Sequence, residues 1–347
     1  MKRVDVYYEG WAERWLLGTL AHGSGELLFE YSPQALEQKL ELSPLKLPLQ
    51  VAAFSKFPQS QHGLPGLIAD SLPDGWGMLL MDRYCRKSGI EAAKVSPLDR
   101  LAFLGHRTMG ALTFEPSQAL PAPADNVDLL QLAQESQQVM SGKDSKLLAE
   151  LVLMGGSPHG ARPKVLVDYC AATGEMGAHG VANGQPWLVK FQSQGEHKEV
   201  CIIENCYAEM AQDCGLDIPA TEYFDISPKL GGNVVFNNRD DHPKNFSFRL
   251  DSERHWKLSP AYDLTYSPGP GGYHQMDVMG EALAITRKDM LDLASKAGVP
   301  AEKARAHLDR HIDVASGFAK TLKAAKVRPS TVKDMAAQVE ANVRRLR

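Results

Sequence analysis

Apolar and polar positions alternate at the start of the chain and change period further along. Val4, Val6 and Tyr8 alternate with charged or polar neighbours. Trp15 to Ala21 and Leu27 to Tyr31 follow, set apart by Gly10 and by His22-Gly23-Ser24-Gly25, so three β strands are predicted. From Asp70 the period becomes helical. Gly77 to Arg86 is one predicted helix. Ser96 to Leu104 is another, with Ser96 as N-cap and Pro97 at the first position. Ala111 to Phe114 reads as a returning strand. Pro116, Pro121 and Pro123 then stand among Ala and Ser, a linker composition that predicts a boundary over residues 116–125.

The second region opens with helix-forming sequence from Asn126 to Met154 and a Gly-rich stretch, Gly155 to Gly160. Lys164 to Tyr169 and Trp187 to Gln192 read as strands. Glu199 to Cys214 is a helix by period, with Val200, Ile203, Tyr207 and Met210 on one face and Gly215 as its stop. Glu222 to Ile226 is a further predicted strand. Beyond a polar cluster at Asn237 to Asn245, Phe246 to Leu250 and Trp256 to Leu258 resemble a hairpin. The tail is helical from Thr286, which makes a capping box with Asp289; Gly298 is a stop and Ser330 a fresh N-cap.

Composition narrows the class. The chain has 347 residues, 44% of them apolar, enough for a sizeable core. A formal net charge of −4 gives no reason to expect a whole-protein polyanion binder. No run of about 18 apolar residues could span a bilayer. The charged, alternating N-terminal stretch argues against a secretory signal. Cys85, Cys170, Cys201, Cys206 and Cys214 form no Cys-x-x-Cys pair, which argues against a disulfide framework and a zinc site. A cytoplasmic, reduced, globular protein is expected.

The sharpest chemical feature is Asn238-Arg239-Asp240-Asp241-His242-Pro243-Lys244-Asn245. Phosphotransferases of the protein-kinase type use an Asp that accepts the proton of the attacking hydroxyl, followed five residues later by an Asn that ligates Mg²⁺. Asp240 and Asn245 have that spacing, and Arg239 keeps the middle of the His-Arg-Asp triplet. Asp263, after the hairpin, supplies a further carboxylate suited to an oxygen-loving Mg²⁺. Taken alone, the cluster reads equally well as an Asp/Asn-rich loop making its own turns. Its company shifts the balance: a Gly-rich turn, Lys190 on the following strand and Glu204 in the following helix occur in the order that machinery requires.

At these residues the chain resembles the HipA-type serine/threonine protein kinases, toxins of bacterial toxin–antitoxin pairs. The most specific stretches are Gly155 to Lys164, Asn238 to Phe248 and Pro260-Ala261-Tyr262-Asp263-Leu264; Ser267 to Gly272 and Met279-Gly280-Glu281 also look like the family. The resemblance implies an α+β, two-lobed, protein-kinase-like fold with an N-terminal β-rich subdomain and a helical C-terminal lobe. On that reading residues 1–115 form the β-rich subdomain, 126–227 the nucleotide-binding part and 228–347 the catalytic loop, metal site and helical part. It implies ATP and Mg²⁺ as cofactors, Asp240 as general base, and Asn245 and Asp263 as metal ligands. Lys190 would contact the ATP phosphates with Glu204 as its partner. Ser157, His159, Gly160 and Lys244 complete the nucleotide-binding set, although a histidine in such a loop, read bare, is a surface residue. Ser157 matches a serine whose autophosphorylation ejects the loop. Family targets are aminoacyl-tRNA synthetases, and the usual partner is a small helix-turn-helix antitoxin, through which alone DNA would be reached.

One stretch departs from the family. Where family members carry a strand and helices that buttress the catalytic loop, only Asp225 to Arg239 stand here. Nine residues from Ser227 to Val235 reach at most ~30 Å, too little for a helix pair. Because the motifs on both sides are intact, a break in the chain within residues 227–233 is expected, in preference to a deletion. Asn233 to Phe236, a short strand by pattern, becomes by resemblance the end of a helix. The shortage favours an alternative: a catalytically weak nucleotide-binding protein acting with an antitoxin in operator repression. A metal-dependent hydrolase built on Asp240, Asp241 and His242, with His255 and His274 in reserve, is a third reading.

Overall fold

The structure is a computed structural model that describes residues 1–23, 25–118, 129–155, 158–178, 181–193, 196–197, 199–223, 239, 245 and 247–347, without the side chains of Leu129 and Leu130. Packing divides it into two units, Met1–Gln194 and Gly195–Arg347. The linker stretch 119–125, the strand residues 224–226 and 233–236, and the expected break at 227–233 lie outside the described residues.

The first unit begins with β1 (Arg3–Gly10), β2 (Glu13–Gly23) and β3 (Glu26–Tyr31), followed by α1 (Pro33–Gln38), β4 (Ala53–Phe54) and the short α2 (Gly66–Ala69). Then come α3 (Gly75–Lys87), α4 (Pro97–Leu104) and β5 (Leu112–Glu115). The strands form one antiparallel sheet in the order β4-β3-β2-β1-β5. The alternation of β1 is what makes it one-sided: Val4, Val6 and Tyr8 are buried. Helix α4 packs its Leu98, Leu101 and Ala102 into the core, capped as expected by Ser96 in a reciprocal box with Asp99.

The helix-forming run from Asn126 to Met154 holds two helices. α5 (Leu129–Met140) ends in a turn through Ser141 and Gly142, and α6 (Leu148–Gly155) follows. The break falls at Ser141-Gly142, a dipeptide that favours a turn within otherwise helix-forming sequence. Strands β6 (Lys164–Tyr169), β7 (Met176–Gly177) and β8 (Gln185–Lys190) form a second antiparallel sheet, in the order β7-β6-β8. Helix α6 packs on both α3 and β6, so the small sheet and the N-terminal helices share one unit.

The second unit holds α7 (Val200–Asp213), the hairpin β9 (Phe248–Leu250) and β10 (Trp256–Leu258), and the helices α8 (Arg287–Lys296), α9 (Ala301–Ser316), α10 (Phe318–Ala324) and α11 (Pro329–Leu346). Its core joins Ile203, Cys206, Tyr207 and Met210 of α7 to Phe318 and Leu322 of α10 and to Val332, Met335 and Val339 of α11. The capping box of Thr286 and Asp289 opens α8 as expected. Ser330 is not an N-cap: Pro329 takes the first helical position of α11, where its fixed φ suits and its missing N–H costs nothing, so Ser330 falls inside the helix.

The cap that Ser330 was expected to give comes instead from Glu199, at the start of α7. Its carboxylate accepts the Arg328 backbone N–H at 2.6 Å, the Arg328 Nε–H at 2.9 Å and the Thr331 hydroxyl at 2.8 Å, an anion at a helix N-terminus. Burial pushes this carboxyl up, but the three hydrogen bonds outweigh it, so its pKa lies below the ordinary value. Glu199→Gln is therefore expected to cost roughly 1–2 kcal/mol, since the carboxylate is sheltered but Arg328 is screened by solvent. A depressed carboxylate contributes stability above its unfolded pKa and loses it as pH falls through the folded value. Thermal unfolding of wild type and variant should thus differ most above about pH 4.3 and converge below it; a gap unchanged by acid would discount the charge.

Candidate functional site

The Gly-rich stretch joins α6 to β6. Gly156 and Ser157 lie outside the described residues; Pro158 is buried, His159 exposed and Gly160 half-buried. The returning stem is held from within, because the Lys164 ammonium donates to the His159 carbonyl. Lys190 ends β8, and the antiparallel register sets it opposite Lys164, the first residue of β6. Directly opposed residues of an antiparallel pair project to the same face. Two lysines therefore share one face of the small sheet, at the end where the Gly-rich stretch enters it. Lys164 is buried and Lys190 half-buried. Sequence reasoning named Lys190 and quoted Lys164 only within a motif; the alternation of β6 with β8 was the signal that could have paired them.

In the second unit Glu204 sits half-buried on α7. Asp240 and Lys244, with Asp241 and His242, lie outside the described residues. Their neighbours are placed by the hairpin. Leu258 pairs with Phe248 and Trp256 with Leu250, and the Ser259 N–H closes the open end on the Ser247 carbonyl at 2.9 Å. Asn245 stands two residues before that closure and Asp263 four after it, so both emerge from the same end of the hairpin. Asn245 is half-buried and Asp263 exposed, its backbone in the left-handed region at φ 56°. The segment before Asp263 is tied down as well, by the Ala261 N–H on the Asp217 carbonyl at 2.7 Å.

Arg239, the residue before Asp240, is buried and gripped by the chain that follows Asp263. Its backbone N–H donates to Ser267 O at 3.1 Å and its guanidinium to Gly272 O. The grip needs glycine at 269: with φ at 69°, an added Cβ would lie 2.8 Å from the Arg239 Cβ and still closer to the Tyr273 carbonyl. The Ser267 to Gly272 segment thus links the residue before Asp240 to the chain that follows Asp263.

Among the described residues, one cluster has the spacing of a separate cation site: Asp251, Glu253 and His255 in the hairpin turn. Asp251 is already engaged, by Lys257 at 2.6 Å and by the backbone N–H groups of Glu253 and His255, and the Lys257 contact leads in holding its pKa down to about 2. These are the bonds of a stable hairpin turn, and His255 serves there.

A model of the HipA N-terminal domain matches residues 6–115, and one of the HipA-like C-terminal domain matches residues 230–319, together more than half of the chain. The chain belongs to the HipA family of toxins. The solved HipA of Shewanella oneidensis MR-1, in complex with HipB and operator DNA, matches with a TM-score of 0.62 at 16% identity, over 99% of this chain and 97% of that one. At that identity the likeness shows the fold, which is the mixed, kinase-like HipA fold anticipated from the motifs. No curated protein matches the chain. The first HipA match spans the large sheet and α3 and α4; the second begins ahead of Arg239 and runs into α10. Among the described residues, no helix of this HipA-type chain is long and apolar enough to cross a membrane.

Proposed function

We propose that this HipA-type protein is an ATP- and Mg²⁺-dependent kinase that transfers the γ-phosphoryl group to a serine or threonine hydroxyl of a cellular protein. The observation that carries the reading is the pairing of Lys164 with Lys190 across the small sheet, beside the Gly-rich stretch. The pair places positive charge on one face of the sheet, at the end where the Gly-rich stretch enters it, and so where the phosphates of a nucleotide would be received. Oxygen donors at Asn245 and Asp263, emerging from one hairpin end, suit a hard octahedral cation, which would neutralise charge on the phosphates. Lys190 would hold the phosphates and Glu204 would orient it. Asp240 would take the proton of the attacking hydroxyl. Gly160 would shape the loop around the nucleotide and Lys244 would offer it charge; His159 would line the loop.

Family resemblance points to aminoacyl-tRNA synthetases as targets and to Ser157 as a site of autophosphorylation. The Shewanella protein is solved with HipB and operator DNA, and by that likeness we assign this chain a small helix-turn-helix antitoxin as partner in a cytoplasmic pair. The test is incubation with labelled ATP and Mg²⁺, with mapping of any phosphoserine. Label on Ser157, and on a synthetase added to the reaction, is the expected result. ATP binding without any transfer would instead favour a weak nucleotide binder acting through its antitoxin. Phosphorylated at Ser157, the protein should bind ATP more weakly than the free form. Equal affinity of the two forms would reject the self-silencing role.

A further inference from the structure

Helix α3 begins against the Gly-rich stretch, about eighty residues ahead of it in sequence. Asp74 stands at the N-cap of α3, the position where an Asp side chain normally satisfies its own helix. Here it makes no such bond. Its carboxylate accepts the backbone N–H of Gly160 instead. The Trp76 backbone N–H, one of the donors a helix start leaves without an internal partner, goes to Gly160 O at 3.1 Å. The Trp76 indole N–H goes to Lys164 O at 2.9 Å. One residue upstream of Pro73, the Leu72 carbonyl lies 2.7 Å from His159 Nε2. Both chains approach so closely that position 75 has no room for a side chain: a Cβ there would lie 2.6 Å from Ala161 Cα, and φ at 33° already favours glycine.

The other stem meets the same side chain. A Cβ added at Gly155 would lie 2.9 Å from Trp76 Nε1 and 2.7 Å from Lys164 O. Trp76, almost wholly buried, thus stands between the residue where the Gly-rich stretch leaves α6 and the residue where it enters β6. Apart from the bond of the His159 ring, every one of these contacts uses backbone of the stretch, so they fix the path of its described ends at 155 and 158–164.

We infer that Asp74 and Trp76 are positioning residues for the Gly-rich stretch, through which the N-terminal HipA domain sets the affinity of the chain for ATP. The inference deepens the kinase reading and rests on it for the nucleotide; the contact itself does not. Neither residue touches nucleotide on this account. They act by holding backbone amides where phosphates are received, a preorganisation that lowers the cost of binding.

The test uses the full chain with Asp74→Ala, Asp74→Asn and Trp76→Phe. Asn keeps an acceptor oxygen for Gly160, and Phe keeps the ring but loses the indole donor, so both are expected to fold. Hydrogen exchange of the 158–164 segment is read first, without nucleotide. It should quicken in Asp74→Ala and Trp76→Phe and stay near wild type in Asp74→Asn. ATP with Mg²⁺ is then titrated: loss of one such hydrogen bond corresponds to about fivefold weaker binding in Asp74→Ala, with Asp74→Asn close to wild type and kcat changed less than KM. Wild-type exchange and wild-type ATP affinity in both Asp74→Ala and Trp76→Phe would overturn the inference. A wild-type chain that binds no ATP overturns the kinase reading and the affinity claim together. In that case the exchange result still decides whether the contact positions the loop.

Discussion

Asp240→Asn is expected to lower phosphoryl transfer by about 10²- to 10⁴-fold, the usual contribution of a positioned general base. On the proposed reading the change removes the negative charge that would accept the hydroxyl proton, and it leaves a side chain of almost the same shape. The residue before it does not depend on that charge. Arg239 is anchored by Ser267 O and Gly272 O, so the entry to the loop keeps its grip in the variant. Folding should therefore be unchanged in thermal unfolding, and ATP affinity should move less than about twofold, which places the loss in kcat. Single-turnover transfer from labelled ATP, with autophosphorylation read separately, makes the measurement. Transfer at the wild-type rate in Asp240→Asn would remove the general-base role and leave the Asp-x-x-x-x-Asn spacing as turn chemistry.

The elements that pattern reading recovered are those whose burial is one-sided. Val4, Val6 and Tyr8 alternate because one face of β1 is core, and the stripe of α7 is legible because Ile203, Tyr207 and Met210 face α10 and α11. The hairpin that brings Asn245 and Asp263 to one end was legible for the same local reason: its strands are short, adjacent in sequence and joined by a turn-rich stretch. What escaped was of two kinds. The break between α5 and α6 had a local signal, the turn dipeptide Ser141-Gly142, that the helix-forming composition around it outweighed; the rest is set by distant parts of the chain. Ser330 is a good cap by type, yet Pro329 and the distant Glu199 carboxylate already serve that end of α11. Asp74 was invisible as a functional residue because it sits where an N-cap belongs, and only the folded chain shows its carboxylate turned toward Gly160. Glu199 repeats the pattern on α7. Both acids stand at the start of one helix and bond elsewhere, and a sequence carries the first fact without the second.

Asp263→Asn is expected to reduce transfer by at least roughly 10²-fold, because a carboxylate on a catalytic divalent cation is worth several kcal/mol at the transition state. The choice of Asn is set by backbone conformation. At φ 56° the position lies in the left-handed region, which Asn tolerates and most other residues do not. Asp263→Ala would add about 1–2 kcal/mol of backbone strain to the loss of the ligand, and the two effects would be confounded. Asp263→Asn keeps the size of the side chain and the backbone around it: the hairpin below it is closed by Ser259 on Ser247, and Ala261 stays tied to Asp217. The decisive readout is the Mg²⁺ dependence. The variant should need a higher Mg²⁺ concentration for half-maximal transfer and should bind ATP without Mg²⁺ as the wild type does. Asn245→Ala, at the same hairpin end, should shift the Mg²⁺ requirement in the same direction, and the pair should combine less than additively if they hold one ion. An Asp263→Asn protein with the wild-type Mg²⁺ curve would move the cation away from the hairpin end and leave Asp263 a turn residue with a left-handed backbone.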